Sequence, residues 1–219
     1  MSVPRWTVEK HYDHLIAIGN DWSFDPPYVQ GYMERMDGPR FDAALGDLRG
    51  RQVLDVGVGT GRIARRVLSA GCGRLTGIDL SSGALALCRN NLSAFANVEL
   101  TQADICSFVR PDAFDIAYSV LTLLHVEDKA LAISNIVASV RTGGRIVLSA
   151  FCDCGSELDF GGHTVAMYPE DANEYRRILA AAGATVVETV DLTDTWEHEG
   201  YRSDTFGQVV AHLLICQKL

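Results

Sequence analysis

Between residues 53 and 61 the chain reads Val-Leu-Asp-Val-Gly-Val-Gly-Thr-Gly, an apolar run that breaks on three glycines within five residues. Residues 53–56 have the length and branching of a buried strand, and 62–70 beyond the glycines have helical period. Glycine permits the sharp turn between them and lets backbone approach a ligand closely. A strand, a glycine turn and a helix in that order place a ligand at the carboxyl end of the strand, over the start of the helix.

From residue 51 onward, apolar runs of strand length alternate with longer segments of helical period. The runs fall at 53–56, 75–78, 98–101, 114–120 and 145–151, and the helical segments at 61–70, 81–94 and 128–140. Each run is almost continuously apolar, the pattern of strands covered on both faces in a parallel sheet. Strict alternation predicts a doubly wound α/β sheet, with Gly143-Gly144 stopping the last of these helices before the fifth strand. A helix over 170–182, ended by Gly183, and strands over 184–192 and 207–216 follow without a Pro/Ser-rich linker, so they belong to the same domain. Residues 1–45 differ, carrying two of the three tryptophans and no clear strand. They predict an N-terminal helical flap over a domain of residues 46–219.

Composition narrows the partners. With 47% hydrophobic and 21% charged residues the chain has ordinary globular composition, and 219 residues suit one domain with a modest appendage. The formal net charge of −9 disfavours a general grip on nucleic acid or anionic membrane, which relies on clustered Lys and Arg. Arg65-Arg66 and Arg176-Arg177 read as solvated helix faces. The first ten residues hold no apolar signal core, and no stretch approaches the roughly 18 apolar residues of a membrane span. Six scattered cysteines then predict reduced thiols in a soluble, cytoplasmic protein, with Cys152 and Cys154 buried at a strand end rather than bound to a metal.

The glycine loop also discriminates among nucleotide ligands. A dinucleotide fingerprint beginning at Gly57 and Gly59 requires glycine at 62, where Arg62 stands. A Walker-type phosphate loop fails too, because no Gly-Lys-Ser/Thr follows. What remains is D-x-G-x-G-x-G from Asp55 to Gly61, with Asp79 at the end of the second predicted strand, 24 residues after Asp55. A carboxylate there accepts two hydrogen bonds from a ribose diol. Capping the helix that starts near Ser82 is its alternative use.

These segments resemble class I S-adenosylmethionine-dependent methyltransferases, with 55–61 matching motif I of that family. The resemblance continues through Leu-Thr-Gly-Ile-Asp-Leu-Ser at 75–81 and Leu-Thr-Gln-Ala-Asp-Ile at 100–105. It extends through Phe-Asp-Ile-Ala-Tyr-Ser-Val-Leu at 114–121 and Arg-Thr-Gly-Gly-Arg-Ile-Val-Leu at 141–148. It implies a mostly parallel, seven-stranded Rossmann-like sheet with helices on both faces, taking S-adenosylmethionine and releasing S-adenosylhomocysteine. By the same resemblance, Asp55 helps orient the cofactor's amine within the loop of Gly57, Gly59 and Gly61. Asp79, with Leu80 beside it, serves the ribose. Asp104 meets the adenine amino group, Ile105 packs on the ring, and Ser119 and Val120 lie near the sulfonium.

Methyl transfer of this kind is an in-line displacement that a protein serves by positioning and by excluding water, without a metal or a covalent intermediate. A general base helps where the acceptor is an O–H or N–H of high pKa. Among His11, His14, His125, His163, His198 and His212, only His125 follows the fourth strand. It is the candidate base, although a structural histidine accounts for it equally well. His163 and His198 fall in connections near the carboxyl edge of the sheet, as candidate acceptor contacts, and His212 reads as packing. In the flap, Tyr12-Asp13 and the aromatics of 22–28 either close over the site or cover a sheet edge. Asp25-Pro26-Pro27-Tyr28 spells the D-P-P-Y signature of enzymes that methylate amino groups, but it precedes the first strand instead of following the fourth. With a charge of −9, methylation of nucleic-acid amino groups is disfavoured.

The reading that unites these features is methyl transfer to a small-molecule acceptor. Methylation of a protein or RNA component, and binding of S-adenosylmethionine or S-adenosylhomocysteine without transfer, stand beside it. Arg62 places oxidoreduction behind all three. No motif names the acceptor atom, the pathway or the oligomeric state.

Overall fold

A computed structural model describes residues 3–21, 27–151 and 155–219. The N-terminal region holds β1 (Arg5–Trp6), α1 (Val8–Ala17), α2 (Pro27–Asp37) and α3 (Pro39–Leu45). Then come β2 (Gln52–Val56), α4 (Arg62–Ser69), β3 (Arg74–Asp79), α5 (Ser82–Asn91), β4 (Val98–Gln102) and β5 (Phe114–Ser119). A 3₁₀ turn (Leu123–His125) leads to α6 (Lys129–Ser139), β6 (Val140–Phe151), β7 (Glu157–Asp159), β8 (Thr164–Ala166) and α7 (Ala172–Ala181). The chain closes with β9 (Ala184–Thr193), β10 (Glu197–His198), β11 (Tyr201–Arg202) and β12 (Val209–Lys218).

Seven strands form one sheet in the order β4-β3-β2-β5-β6-β12-β9. β2 pairs in parallel with β3 and β5, β3 with β4, and β5 with β6, while β12 runs antiparallel to β6 and β9. This is the predicted doubly wound, mostly parallel sheet. Successive strand residues point to opposite faces, and here both faces are covered. Val53 packs with Phe41, Val67 and Leu85 on the side of α3, α4 and α5, whereas its neighbour Leu54 packs with Ile133, Ile136 and Tyr175 on the side of α6 and α7. Each such side chain contributes roughly 1.5–3 kcal/mol by leaving water, so the strand ends are held by two dense layers. From β2 the chain moves outward to β3 and β4, then returns to place β5 on the other side of β2. At such a reversal a crevice opens at the carboxyl ends of the strands.

Several expectations change. α6 ends at Ser139, and Val140 is already extended as the first residue of β6, so Gly143-Gly144 does not stop the helix. The pair instead lies within β6, beside a register shift against β5 between Phe114 and Ile116. Gly143 has φ +77°, and a Cβ on Gly144 would stand 2.8 Å from the Asp115 carbonyl oxygen, so the glycines permit the irregular pairing. The N-terminal region, read as strandless, contains β1, which pairs with β8; β7 completes a separate three-stranded sheet. Arg176 and Arg177 are exposed as expected, but Arg66 is not on a solvated face. It donates to Asp42 Oδ1 at 3.2 Å and to the Asp37 carbonyl, because α4 packs beneath the N-terminal segment. Cys152, Cys154 and residues 22–26 lie outside the described residues, including Asp25-Pro26 of the D-P-P-Y run. Among the described residues no helix is long and apolar enough to cross a membrane.

Candidate functional site

The carboxyl ends of β2, β3, β4 and β5 enclose a cavity of about 250 Å³. Gly57 and Gly59 line it from the first turn, Asp79 and Leu80 from the end of β3, Asp104 and Ile105 from beyond β4, and Val120 from beyond β5. Asp55, Gly61 and Ser119 do not line it.

Those three residues act one layer below. Asp55 on β2 and Tyr118 on β5 face each other in the strand register, and the Tyr118 hydroxyl donates to Asp55 Oδ2 at 2.6 Å. Burial pushes the Asp55 carboxyl up to about 7 against the lowering effect of that hydrogen bond. Ser119 Oγ donates to the Val56 carbonyl at 3.1 Å, tying the same two strands together. A Cβ on Gly61 would stand 2.9 Å from Cys88 Sγ, so this glycine lets α4 lie against α5.

Gly57 answers to a different neighbour. At φ +82° it leaves room for Thr122, whose Oγ1 would be 1.9 Å from an added Cβ. Gly59 alone of the three faces open space. Its N–H donates to Asp79 Oδ2 at 2.9 Å, and the Ser81 N–H donates to Asp79 Oδ1 at 2.9 Å. Asp79 therefore braces the glycine turn against β3. Burial raises its pKa, opposed by these backbone donors. The cap of α5 is Ser81, whose side chain accepts the Ala84 N–H at 2.9 Å, so Asp79 is not used as that cap.

Beyond β5 the backbone takes an uncommon path. Leu121 has φ +56°, a left-handed conformation seldom adopted by a branched-chain residue, and its N–H donates to Ser149 Oγ at 3.0 Å. This turn drives Thr122 against Gly57 and starts the 3₁₀ turn that carries His125 into the cavity wall. His125 Nδ1 lies 3.1 Å from the Ala166 carbonyl oxygen, which can only accept, so Nδ1 carries the proton and Nε2 the lone pair. The Tyr12 hydroxyl, 3.1 Å away, donates to Nε2. Burial pushes the His125 pKa below the usual 6.5, helped by the charge of Lys129 and opposed by the Ala166 carbonyl. Lys129 is itself buried and donates to the carbonyls of Val126, at 3.0 Å, and Tyr168, which fastens the turn from behind. A neutral, oriented imidazole thus stands at the cavity wall.

The N-terminal helices complete the enclosure through Val8, Tyr12 and Met33. Asp13 Oδ1 accepts from the Ser81 hydroxyl at 2.5 Å and the Gly83 N–H at 3.0 Å, docking α1 on the start of α5. His163 and His198 do not line the cavity. His163 is buried beneath α1, bonded to His11 Nδ1 at 2.8 Å and stacked on Trp6 at 3.8 Å between ring centroids. His198 is exposed on β10, and His212 pairs with Asp191 across β12 and β9 at 2.7 Å. Met33 and Thr122 carry no motif, and Leu121 is only the last residue of the 114–121 segment; nothing local in the sequence marks the three as site residues.

Residues 53–144 match the methyltransferase domain family. Two O-methyltransferases, from Aspergillus nomiae and Aspergillus sclerotiorum, are each 29% identical to the chain over 69% of its length, and the matched stretch spans 72% and 61% of theirs. The crystal structure of an S-adenosylmethionine-dependent methyltransferase from Mesorhizobium loti aligns with a TM-score of 0.69 at 20% identity, covering 83% of this chain and 97% of that one. At that identity the likeness speaks for the fold. Sheet order, strand-end cavity and matched segment together define a class I S-adenosylmethionine-dependent methyltransferase. Residues 53–144 carry the family's methyltransferase domain, and the methyl donor is S-adenosylmethionine.

Proposed function

We propose that the protein methylates a hydroxyl oxygen on a small, largely apolar molecule, with His125 as general base. The observation that carries this reading is the imidazole of His125 in the cavity wall, fixed as the Nδ1–H tautomer with its Nε2 lone pair on the Tyr12 hydroxyl, also in that wall. When bound, S-adenosylmethionine supplies a methyl group on positively charged sulfur, already activated for displacement. A hydroxyl of high pKa needs its proton removed as it attacks, and the His125 imidazole, with Tyr12 on its Nε2, is the basic group in the cavity wall to receive it. Neighbouring walls are apolar, from Val8, Met33, Ile63, Leu121 and Val126, and suit an acceptor with an apolar body. The two fungal O-methyltransferase relatives support the same atom class.

The cofactor seat follows the strand ends. Asp79 offers its carboxylate to the ribose beside Leu80, Asp104 and Ile105 receive the adenine, and Val120 faces the reacting methyl. Gly57 and Gly59 wrap the amino-acid end, while Asp55, Gly61 and Ser119 hold that wall from beneath. The open space over Gly59 and the two carboxylates at successive strand ends fit such a nucleoside. α1 and α2 act as a cover that keeps water from the transfer.

The test is release of S-adenosylhomocysteine with a panel containing a catechol, a hydroxyquinone, a primary amine and a thiol. Hydroxyl acceptors should exceed the no-acceptor background, and His125→Gln should lower that rate about 10²-fold or more. Turnover confined to the amine or thiol would overturn the oxygen assignment. Tight cofactor binding with no turnover on any acceptor would favour a binding protein.

A further inference from the structure

We propose that Tyr12 is a catalytic residue that relays the acceptor's proton to Nε2 of His125; the proposal rests on the assignment of His125 as base. Imidazole has two ring nitrogens, and both are engaged. Nδ1 donates to the Ala166 carbonyl at 3.1 Å, and the one lone pair, on Nε2, receives the Tyr12 hydroxyl at 3.1 Å. A proton leaving the acceptor reaches Nε2 either after Tyr12 has been pushed aside or through its oxygen.

The anchoring of α1 points to passage through the oxygen. The residue after Tyr12, Asp13, is held by the Ser81 hydroxyl and the Gly83 N–H. A Cβ on Gly83 would stand 3.1 Å from Asp13 Oδ1, so the helices meet without slack. The residue before it, His11, is 1% exposed and bonded to His163 at 2.8 Å. Glu9, further back, accepts from Gln102 Nε2 at 3.2 Å. Fastened on both sides, Tyr12 is a fixed part of the cavity wall, with its hydroxyl on His125 Nε2. Burial and the Asp79 charge push its pKa well up, so it does not ionise alone and acts only in concert with the imidazole.

In the step, the acceptor O–H breaks and its proton goes to Tyr12 Oη while the proton of Tyr12 goes to His125 Nε2. The freed oxygen pair forms the new O–C bond, and the pair of the broken S–C bond stays on sulfur. Tyr12 is neutral before and after. His125 ends as imidazolium and returns its proton to solvent when the cavity opens.

The probe is 4-nitrophenol as acceptor, with methyl transfer from S-adenosylmethionine read as release of S-adenosylhomocysteine at one pH below and one above the phenol's own pKa. Tyr12→Phe should lower the rate about tenfold or more at the lower pH and approach wild type at the higher one, where the phenolate has no proton to give up, with affinity for S-adenosylhomocysteine kept within about twofold as the check on folding. His125→Gln should do the same, and the double variant should lose no more than either single one, as for groups that act as a unit. If Tyr12→Phe keeps the wild-type rate at the lower pH, or stays equally slow at the higher one, the relay is overturned while the base assignment stands. If His125→Gln keeps the wild-type rate at the lower pH, or wild type transfers nothing to saturating probe, the base assignment falls and the relay with it.

Discussion

Arg62 Nη1 donates to Asp37 Oδ1 at 2.6 Å, joining the first residue of α4, on the cavity wall, to the last residue of α2. The Asp37 side chain has no exposed surface, and Arg66 approaches the same carboxylate at 3.5 Å. Two residues earlier on α2, Arg35 pairs with the equally buried Asp194. Arg62 first mattered as the residue that defeats a dinucleotide fingerprint. In the fold it fastens α2 to the helix behind the glycine turn.

Asp37→Ala should therefore cost more than a surface ion pair. Removing a buried carboxylate strands the cation it paired with, a loss of about 3–5 kcal/mol when both partners are fully buried. The Arg62 and Arg66 side chains keep 17% and 34% of their exposure, so water recovers part of this. A loss of about 2–3 kcal/mol in urea unfolding is expected. A change under about 0.5 kcal/mol, the scale of an ordinary surface substitution, would mean the network is ornamental.

Gly57→Ala and Gly59→Ala should behave differently although both positions have positive φ. At Gly57 the new Cβ collides with Thr122, whereas at Gly59 it meets nothing within 4 Å. Gly59→Ala should show mainly the conformational penalty of about 1–2 kcal/mol. Gly57→Ala should also displace Thr122 and with it the turn that carries His125. Thermal unfolding and calorimetric titration with S-adenosylhomocysteine would register this as a larger loss of both stability and affinity. Equal behaviour of the two variants would contradict the steric assignment of Gly57.

Asp79→Ala should weaken cofactor binding by roughly 1–3 kcal/mol if the carboxylate holds the ribose through charged hydrogen bonds. The same change removes the acceptor for the Gly59 and Ser81 N–H groups, so a fall in melting temperature should accompany it. Titration of the folded variant decides the matter. Unchanged affinity would remove Asp79 from the cofactor seat.

What could be read from the chain alone was what short-range chemistry determines. Branched apolar runs between helical segments specify the sheet, and three glycines ahead of Arg62 specify a ligand-bearing turn. Asp79 was legible as a strand-end carboxylate, but its bracing of Gly59 depends on a neighbouring strand. Gly143-Gly144 looked like a helix stop because glycine ends helices; pairing with β5 turned it into an irregularity within β6. Tyr12 and His125 are 113 residues apart, and Arg62 and Asp37 lie 25 apart on different helices. No local period links such pairs. The connection that holds His163 points it to the acceptor side of the sheet's edge, yet stacking on Trp6 from β1 draws it under α1.

The His11–His163 contact carries a consequence for acid stability. His11 is 1% exposed and packed between the rings of Tyr12, Phe160 and His163. Burial, then the neighbouring histidines, lower its pKa from 6.5 to about 4. Because the folded value lies below the unfolded one, the unfolded chain binds the extra proton first as pH falls. The stabilisation is complete above about pH 6.5 and is lost progressively as the pH drops towards 4. Melting temperature measured from pH 7.5 down to 4.5 should decline across this window, and His11→Gln should flatten part of the decline. A variant whose melting curve keeps the wild-type pH slope would show that protonation of His11 does not open this layer.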